Sequence, residues 1–231
     1  RNHDELTLEM VTPEEREWMW QEYAPQERMR LNLGIRRRFA PLLDNEPARM
    51  RLAYALLFSL PGSPIIYYGD EIWMGDNIDL FDRNGVRTPM QWSDEVNAGF
   101  SMARPEQLYA PIIDNSEYGP QRVNVARQQA DPHSLLNAIK HMLAVRKSRP
   151  EMGWGSFAWI ETGDPAVIAC RRDWQGQTLV AISNLSVSEV DVQLEMPMPG
   201  LWRDLLAGGK WQTQGPRLQL QLPGSGFVWL A

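Results

Sequence analysis

The final third of this 231-residue chain alternates between apolar and polar side chains with a period of two. The clearest segment is Arg217–Leu222, in which Leu218, Leu220 and Leu222 alternate with polar side chains. Such alternation predicts a strand with one buried face and one solvated face. Weaker versions of the pattern lie at 166–172, 178–184, 190–196 and 227–230. Five short strands separated by turn residues predict a small antiparallel β-sandwich over residues 151–231.

The first 150 residues show a different pattern. Segments with apolar residues at helical spacing lie before and after one short apolar run. Thr12 and Glu15 form a capping-box pair, which predicts a helix that ends before Pro25. A second helix is predicted over 47–60, and a third begins near Asp131. Between them, residues 64–68 are typical of a short, fully buried parallel strand. This succession of helix, buried strand and helix indicates an α/β fold.

Residues 69–130 lack a clear period over about sixty positions, which is far longer than an ordinary connection. Charged side chains and one tryptophan crowd its first third: Asp70, Glu71, Asp76, Asp79, Asp82, Arg83, Arg87 and Trp92. Loops that leave the carboxyl end of a buried strand commonly build the site of an α/β barrel. A solvated insertion is an equally good interpretation of the composition alone.

Composition excludes several classes of protein. The net charge of −6 disfavours nucleic acid and anionic membranes as partners. The longest apolar stretch, 52–68, is interrupted by prolines well short of a membrane span. Cys170 is the only cysteine, so we expect a buried, inert thiol and a reducing, cytoplasmic location. The three histidines are too scattered to predict a metal site. The chain starts without methionine or a leader pattern, which indicates a piece of a longer protein.

Several motifs resemble the alpha-amylase superfamily. Residues 1–11, which begin Arg-Asn-His-Asp-Glu, resemble the motif that follows the seventh barrel strand of that family. Residues 64–72, Pro-Ile-Ile-Tyr-Tyr-Gly-Asp-Glu-Ile, are similar to its eighth strand. Residues 75–78, 82–93 and 97–101 are similar to the trehalose synthase branch in particular. The Arg-Thr-Pro-Met-Gln-Trp block at 87–92 also fits alpha-glucosidases.

The resemblance implies roles for four residues. Asp4 matches the acidic residue that stabilises the transition state and binds the glucose in the cleaved subsite. His3 matches a histidine that hydrogen-bonds the same ring, and Arg87 matches the arginine that holds its non-reducing end. Glu5 is expected on the far side of the strand end from Asp4, where it would line the acceptor region.

The chain also departs from the family pattern beside the predicted acceptor subsite. Trp73 stands where the family usually has glycine, and residues 79–81 replace a usual Tyr-Leu-Gly. Asp70 and Glu71 are expected to brace the turn after the eighth strand rather than to touch sugar.

The implied fold class is α/β plus all-β. Residues 1–150 would form the C-terminal portion of a (β/α)8 barrel with a long active-site loop at 69–130, and residues 151–231 a small antiparallel β-sandwich domain. The nucleophilic aspartate and the acid/base glutamate of the family belong to strands upstream of Arg1. We therefore expect this chain alone to be inactive.

The complete protein is expected to interconvert maltose and trehalose by intramolecular glucosyl transfer, with some hydrolysis. An alpha-glucosidase acting on short α-glucosides and a non-catalytic carbohydrate-binding or assembly fragment remain alternatives. No cofactor is expected in this chain, although the resemblance allows a structural calcium in an N-terminal part. Expected partners are maltose, trehalose or other short α-glucosides, together with a homo-oligomer or the rest of the barrel.

Overall fold

The computed structural model describes residues 3–213 and 215–231, and its internal contacts divide the chain into two compact units. Unit 1 comprises Arg1–Glu46 and Ile65–Ala138, and unit 2 comprises Pro47–Pro64 and Ile139–Ala231. This grouping follows contacts rather than chain order, so the predicted boundary near residue 150 stays a prediction. No helix among the described residues is long and apolar enough to cross a membrane.

The regular elements are numbered in chain order. The helices are α1 (Pro13–Tyr23), α2 (Phe39–Leu42), α3 (Pro47–Ser59), α4 (Val125–Ala130), α5 (Leu135–Ser148) and α6 (Pro150–Trp154). The short strands of unit 1 are β1 (Leu6–Thr7), β2 (Arg30–Leu31) and β3 (Gly34–Ile35). The strands of unit 2 are β4 (Ser156–Ile160), β5 (Val167–Trp174), β6 (Gln177–Asn184), β7 (Val190–Glu195), β8 (Leu201–Arg203), β9 (Lys210–Gln212), β10 (Arg217–Leu222) and β11 (Phe227–Leu230).

Unit 1 begins with a small antiparallel sheet in the order β1-β3-β2. Gly34 in β3 faces Thr7 in β1, and an added Cβ there would lie 2.5 Å from the Leu6 carbonyl oxygen and 2.8 Å from Cγ of Glu5. Because glycine has no Cβ, β3 can approach the chain start this closely. The sheet therefore fixes the backbone that follows His3 and Asp4.

Helix α1 forms as its sequence predicts. The Thr12 hydroxyl accepts from the Glu15 amide at 3.2 Å, and the Glu15 carboxylate accepts from the Thr12 amide at 2.8 Å. The helix packs its half-buried side chains, such as Trp20 and Tyr23, beside buried Met29 and Ile35. These contacts attach α1 to the small sheet.

Residues 69–130 are not a solvated insertion. Short 3-10 turns at Asp70–Ile72, Asn84–Val86, Val96–Gly99 and Pro105–Gln107 replace longer helices. The buried Gln91 amide donates to the carbonyls of Tyr118 and Val123 at 2.8 and 2.6 Å. Because these bonds join distant parts of the segment, it folds into an ordered body.

The predicted buried strand at 64–68 is wrong for this chain. Residues 64–67 lie outside any regular element, and Ile65 is 71% exposed. An apolar run becomes a parallel strand only when neighbouring strands accept its backbone hydrogen bonds. The strand pairings among the described residues are antiparallel and do not include this run.

Unit 2 contains a four-stranded antiparallel sheet in the order β11-β6-β5-β4 and the separate pairs β10-β7 and β8-β9. All five predicted strands are present, and the leucines of β10 are buried while its alternate residues are exposed. Strands β4, β8 and β9 were not predicted, because they are short or lack clear alternation. Antiparallel sheets in this part of the chain are therefore confirmed.

The core of unit 2 joins side chains from several sheets. Ile182 of β6, Leu194 of β7 and Leu220 of β10 belong to one buried cluster that also includes Trp202. Helix α3 lies against β6, which explains why β6 is buried over most of its length. Cys170 is buried and free, as predicted, and burial raises the pKa of its thiol.

Candidate active site

The carboxylate of Asp4 lies between two arginine side chains of unit 1. Its Oδ1 is 3.1 Å from Nε of Arg83 and 3.1 Å from Nη2 of Arg87. Its Oδ2 is 3.4 Å from Nε2 of His3. The Asp4 side chain is 45% exposed, so the carboxylate is held in place while solvent reaches it. The structure thus brings together three of the predicted site residues.

Glu5 joins the same cluster. Its carboxylate lies 2.8 Å from Nε of Arg83 and accepts a hydrogen bond from the Asn32 amide at 2.7 Å. Burial acts to raise the pKa of Glu5, but the hydrogen bond from Asn32 and the charge of Arg83 outweigh it, and the net pKa is lowered. The expectation that Glu5 lies on the far side of the strand end from Asp4 is wrong, because both carboxylates reach the same guanidinium nitrogen.

Arg83 is the residue that sequence reasoning missed. It was recognised only as one of several charges in the long segment, yet it contacts Asp4, Glu5 and Asp82. The Asp82 contact is local, whereas Glu5 lies 78 positions away. The sequence signal was the Asp-Arg-Asn-Gly-Val-Arg motif at 82–87, which places two arginines four positions apart.

Arg87 contacts the chain start through two donors. Besides the bond to Asp4, its Nε donates to the carbonyl oxygen of His3 at 3.0 Å. The alternative role for such an arginine is scaffolding, in which it would tie the loop to Asp79 or Asp82. Instead, Asp79 contacts Arg28 and Asp82 contacts Arg83. The side chain of Arg87 therefore points to the predicted sugar-binding residues.

Comparison with known proteins identifies the family. The family described as alpha amylase, catalytic domain, matches residues 20–155, which is more than half of the chain. The chain belongs to the alpha-amylase family. The matched region begins within α1 and ends directly after α6, and it contains the segment that carries Arg83 and Arg87.

Within the alpha-amylase family, the chain is similar to trehalose synthases. It is 47% identical over 237 residues to the trehalose synthase/amylase of Mycobacterium tuberculosis H37Rv, covering 99% of this chain and 39% of that protein. It is 48% identical over 234 residues to the trehalose synthase of Thermus thermophilus, covering 100% of this chain and 24% of that protein. The chain thus spans about two fifths or less of these relatives.

A solved structure of this family has a similar fold. The crystal structure of an alpha-glucosyl transfer enzyme matches with a TM-score of 0.62 at 31% identity, covering 80% of this chain and 36% of that one. The recognition of an alpha-amylase family chain from its motifs is confirmed. Arg1 and Asn2, which begin the first of those motifs, lie outside the described residues.

Asp70 and Glu71 lie in the turn where the family resemblance places them. Buried Asp70 accepts from Nη1 of Arg38 at 3.1 Å. Glu71 is largely enclosed, and burial raises the pKa of its carboxyl. The contacts given for Asp4 are with Arg83, Arg87 and His3 rather than with this turn. The Asp70–Arg38 pair connects the turn to the residues before α2.

Trp73 adopts a backbone conformation that suits glycine, the residue that the family resemblance implies at this position. Its φ of 67° and ψ of 31° lie in the left-handed region. Glycine enters that region without steric cost, whereas a residue with a Cβ is strained there. The Trp73 ring compensates in part, because it packs beside buried Ile72 and Met90.

No group of three or more His, Cys, Asp or Glu side chains within 3–213 and 215–231 is arranged to hold a metal ion. The His133 backbone amide donates to the Asp131 carboxylate at 2.8 Å, and the His141 ring contacts the Leu206 carbonyl at 3.1 Å. The candidate active site is therefore a cluster of carboxylates, guanidinium groups and one imidazole. Such a cluster can bind sugar hydroxyls and stabilise developing positive charge.

Proposed function

We propose that the complete protein is a trehalose synthase that interconverts maltose and trehalose by intramolecular glucosyl transfer, with some hydrolysis to glucose. The observation that carries this proposal is the Asp4–Arg87 pair. The pair lies in a chain that is 47–48% identical to trehalose synthases. A glucosyl group in transit carries positive charge on its ring, and a fixed carboxylate lowers the energy of that state.

In this proposal each residue of the cluster has one task. Asp4 stabilises the positively charged transition state and binds hydroxyls of the transferred glucose. His3 hydrogen-bonds the same ring, and Arg87 holds its non-reducing end with a planar, permanently charged group. Glu5, bonded to Arg83 and Asn32, keeps the Arg83 guanidinium beside Asp4.

The nucleophile and the acid/base are proposed to come from other strands of the same barrel. Glycosyl transfer with retention needs two carboxyl groups about 5 Å apart on opposite sides of the scissile bond. We assign this pair to the part of the family's barrel that this chain does not span. Residues 64–68 would pair with neighbouring strands of the complete barrel, and the chain alone would be inactive.

We also propose that residues 1–150 form the C-terminal part of a (β/α)8 barrel and residues 151–231 a β-sandwich. The shared cluster that joins β5 and β6 with β7 and β10 supports the second part. The proposed location is the cytoplasm, since the single cysteine is buried and free. A homo-oligomer, and a structural calcium in the N-terminal part, are further proposals.

Incubation of the complete protein with maltose tests the function. We expect trehalose as the main product and glucose as a minor one, measured by chromatography over time. Glucose alone would make the protein an alpha-glucosidase, and no turnover would favour a non-catalytic carbohydrate-binding or assembly role. Residues 1–231 alone, at verified mass, should give no more than trace activity.

A further inference from the structure

Three tyrosine hydroxyls donate to three consecutive carbonyl groups around Arg87. The Tyr67 hydroxyl donates to the Val86 carbonyl at 2.9 Å, and the Tyr68 hydroxyl donates to the Thr88 carbonyl at 2.7 Å. The Tyr109 hydroxyl donates to the carbonyl of Arg87 itself at 2.7 Å. The peptide groups on both sides of the Arg87 Cα are therefore held by side chains from distant positions.

Two of these tyrosines are themselves oriented by a buried cation. The guanidinium carbon of Arg38 lies 5.0 Å from the ring centroid of Tyr67 and 4.9 Å from that of Tyr68. The two rings meet edge to face, with centroids 4.7 Å apart. Arg38 is fully buried and also donates to the Tyr68 carbonyl at 2.7 Å. Cation–π contacts of a desolvated arginine hold such rings firmly.

Tyr109 reaches Arg87 from the other end of the long segment. Its side chain is 67% exposed, and its ring meets Phe100 edge to face at 6.1 Å. Such an exposed ring contributes little to a core, so its hydroxyl contact with Arg87 is its most specific interaction. Burial raises the pKa of Tyr68 to about 12, and desolvation of the Tyr109 hydroxyl together with the neighbouring Tyr68 raises that of Tyr109 to about 12, although the Tyr109 ring is exposed.

We propose that Tyr67, Tyr68 and Tyr109 are positioning residues that hold the Arg87 guanidinium in register with Asp4 for glucose recognition. This inference rests on the proposed function. With its peptide groups held, Arg87 can vary only through its side-chain torsions, which reach Asp4 and the His3 carbonyl. Misplacement of a binding group by about 1 Å can cost about 100-fold in rate, so a fixed backbone has catalytic value.

The test is a double-mutant cycle in the complete protein with maltose as substrate. The triple variant Tyr67→Phe, Tyr68→Phe, Tyr109→Phe keeps all three rings and removes the three hydroxyls. We expect kcat/KM to fall about 10- to 100-fold in the wild-type background, which is about 2- to 5-fold for each of the three hydrogen bonds. In an Arg87→Gln background the same three changes should cost less than about twofold, because tyrosines that act through Arg87 lose their effect without it.

Tyr118→Phe is the matched control, since its hydroxyl contacts Asn45 and not the residues around Arg87. It should leave kcat/KM per folded molecule unchanged. An equal loss for the triple variant in both backgrounds would overturn the inference. So would a lowered melting temperature with normal kinetics per folded molecule, which is the pattern of a merely structural role.

A crystal structure of the triple variant gives a readout that does not depend on the reaction. We expect Nη2 of Arg87 to move out of hydrogen-bond distance of Asp4, whereas Tyr118→Phe should leave the 3.1 Å contact intact. An unchanged contact in the triple variant would overturn the inference. If the wild-type protein does not convert maltose, the proposed function fails, and this structural comparison still tests the positioning role.

Discussion

Nη2 of Arg87 lies 3.1 Å from Oδ1 of Asp4, although 83 positions separate the two residues along the chain. Both side chains are partly exposed, at 35% and 45%, so the pair is accessible rather than enclosed in a core. Charged groups that are already paired in the unliganded protein need little reorganisation when a substrate arrives. This relationship generates the first two predictions.

Replacing Asp4 with asparagine should lower turnover far more than it weakens binding. Asparagine keeps the shape of the side chain and removes the negative charge that stabilises the transition state. We expect kcat of the complete protein to fall about 100-fold or more, with little change in KM. Asp191→Asn, on an exposed position of β7, is the control and should have no effect. A raised KM with normal kcat would make Asp4 a binding residue only.

Replacing Arg87 with lysine should impair specificity without unfolding the protein. Lysine keeps the charge and loses the planar fork that can contact Asp4, the His3 carbonyl and sugar together. We expect kcat/KM for maltose to fall about 10- to 100-fold, equivalent to ~1.4–2.7 kcal/mol, at nearly constant melting temperature. Arg203→Lys on β8 is the matched control. A large loss of stability with normal kinetics would assign Arg87 to scaffolding.

Glu5 should stabilise the fold in a pH-dependent manner. The pKa of its carboxyl is lowered in the folded state relative to the usual 4.5, mainly through Asn32 and Arg83 acting against burial. A lowered pKa adds stability above the unfolded-state value, and that stability is lost as the pH falls through the folded-state value. The melting temperature of the wild type should therefore be higher than that of Glu5→Gln at pH 7. The difference between the two melting temperatures should shrink below about pH 4.5. Glu22→Gln, at an exposed position of α1, is the matched control for loss of a surface carboxylate.

Trp73 offers a test of backbone strain in which two variants remove the same ring. Both Trp73→Ala and Trp73→Gly lose the packing beside Met90, but only glycine relieves the positive φ. We expect the glycine variant to be more stable than the alanine variant by about 1 kcal/mol in denaturant unfolding. At Trp92, where φ is not positive, Trp92→Gly should be no more stable than Trp92→Ala. Equal free energies of unfolding for Trp73→Ala and Trp73→Gly would contradict backbone strain at this position.

Amide hydrogen exchange should distinguish residues 64–68 from the sheet of unit 2. Strand β6 pairs with β5 on one side and β11 on the other, so its amides should exchange slowly. In residues 1–231 alone, residues 65–68 should exchange fast, because they have no strand neighbour among the described residues. In the complete protein they should become protected as part of a barrel. Equal protection in both samples would contradict the proposed barrel strand.

The sequence predicts the elements whose signals are local. The Thr12–Glu15 capping box marks a helix start with residues only three positions apart, and the alternating leucines of β10 need only one buried face. The run at 64–68 has the composition of a buried strand but needs neighbours to become one. Composition cannot report whether those neighbours are present, which is why that prediction failed.

The candidate site was predictable only through motifs. Nothing near Asp4 in sequence indicates that Arg83 will contact it, because the two are brought together by the fold of the intervening segment. The same holds for the tyrosines at Arg87, since Tyr67 and Tyr68 belong to the predicted strand and Tyr109 lies 22 positions from Arg87. The family motifs identified Asp4, His3 and Arg87, but they say nothing of which side chains support them.

Arg36 determines which substitutions the loop at residues 78–82 can accept. Its guanidinium donates to the carbonyl oxygens of Ile78 and Asp82 at 2.8 and 2.6 Å and also to that of Leu80. These hydrogen bonds are made to main-chain carbonyl groups only and do not involve the side chains of the loop. The Phe81 residue, for example, is 87% exposed. Leu80 and Phe81 can therefore be varied while the loop keeps its path, whereas Asp79 also contacts Arg28 through its side chain. Under the proposed function, positions 80 and 81 are the natural place for a directed-evolution library aimed at a new sugar acceptor.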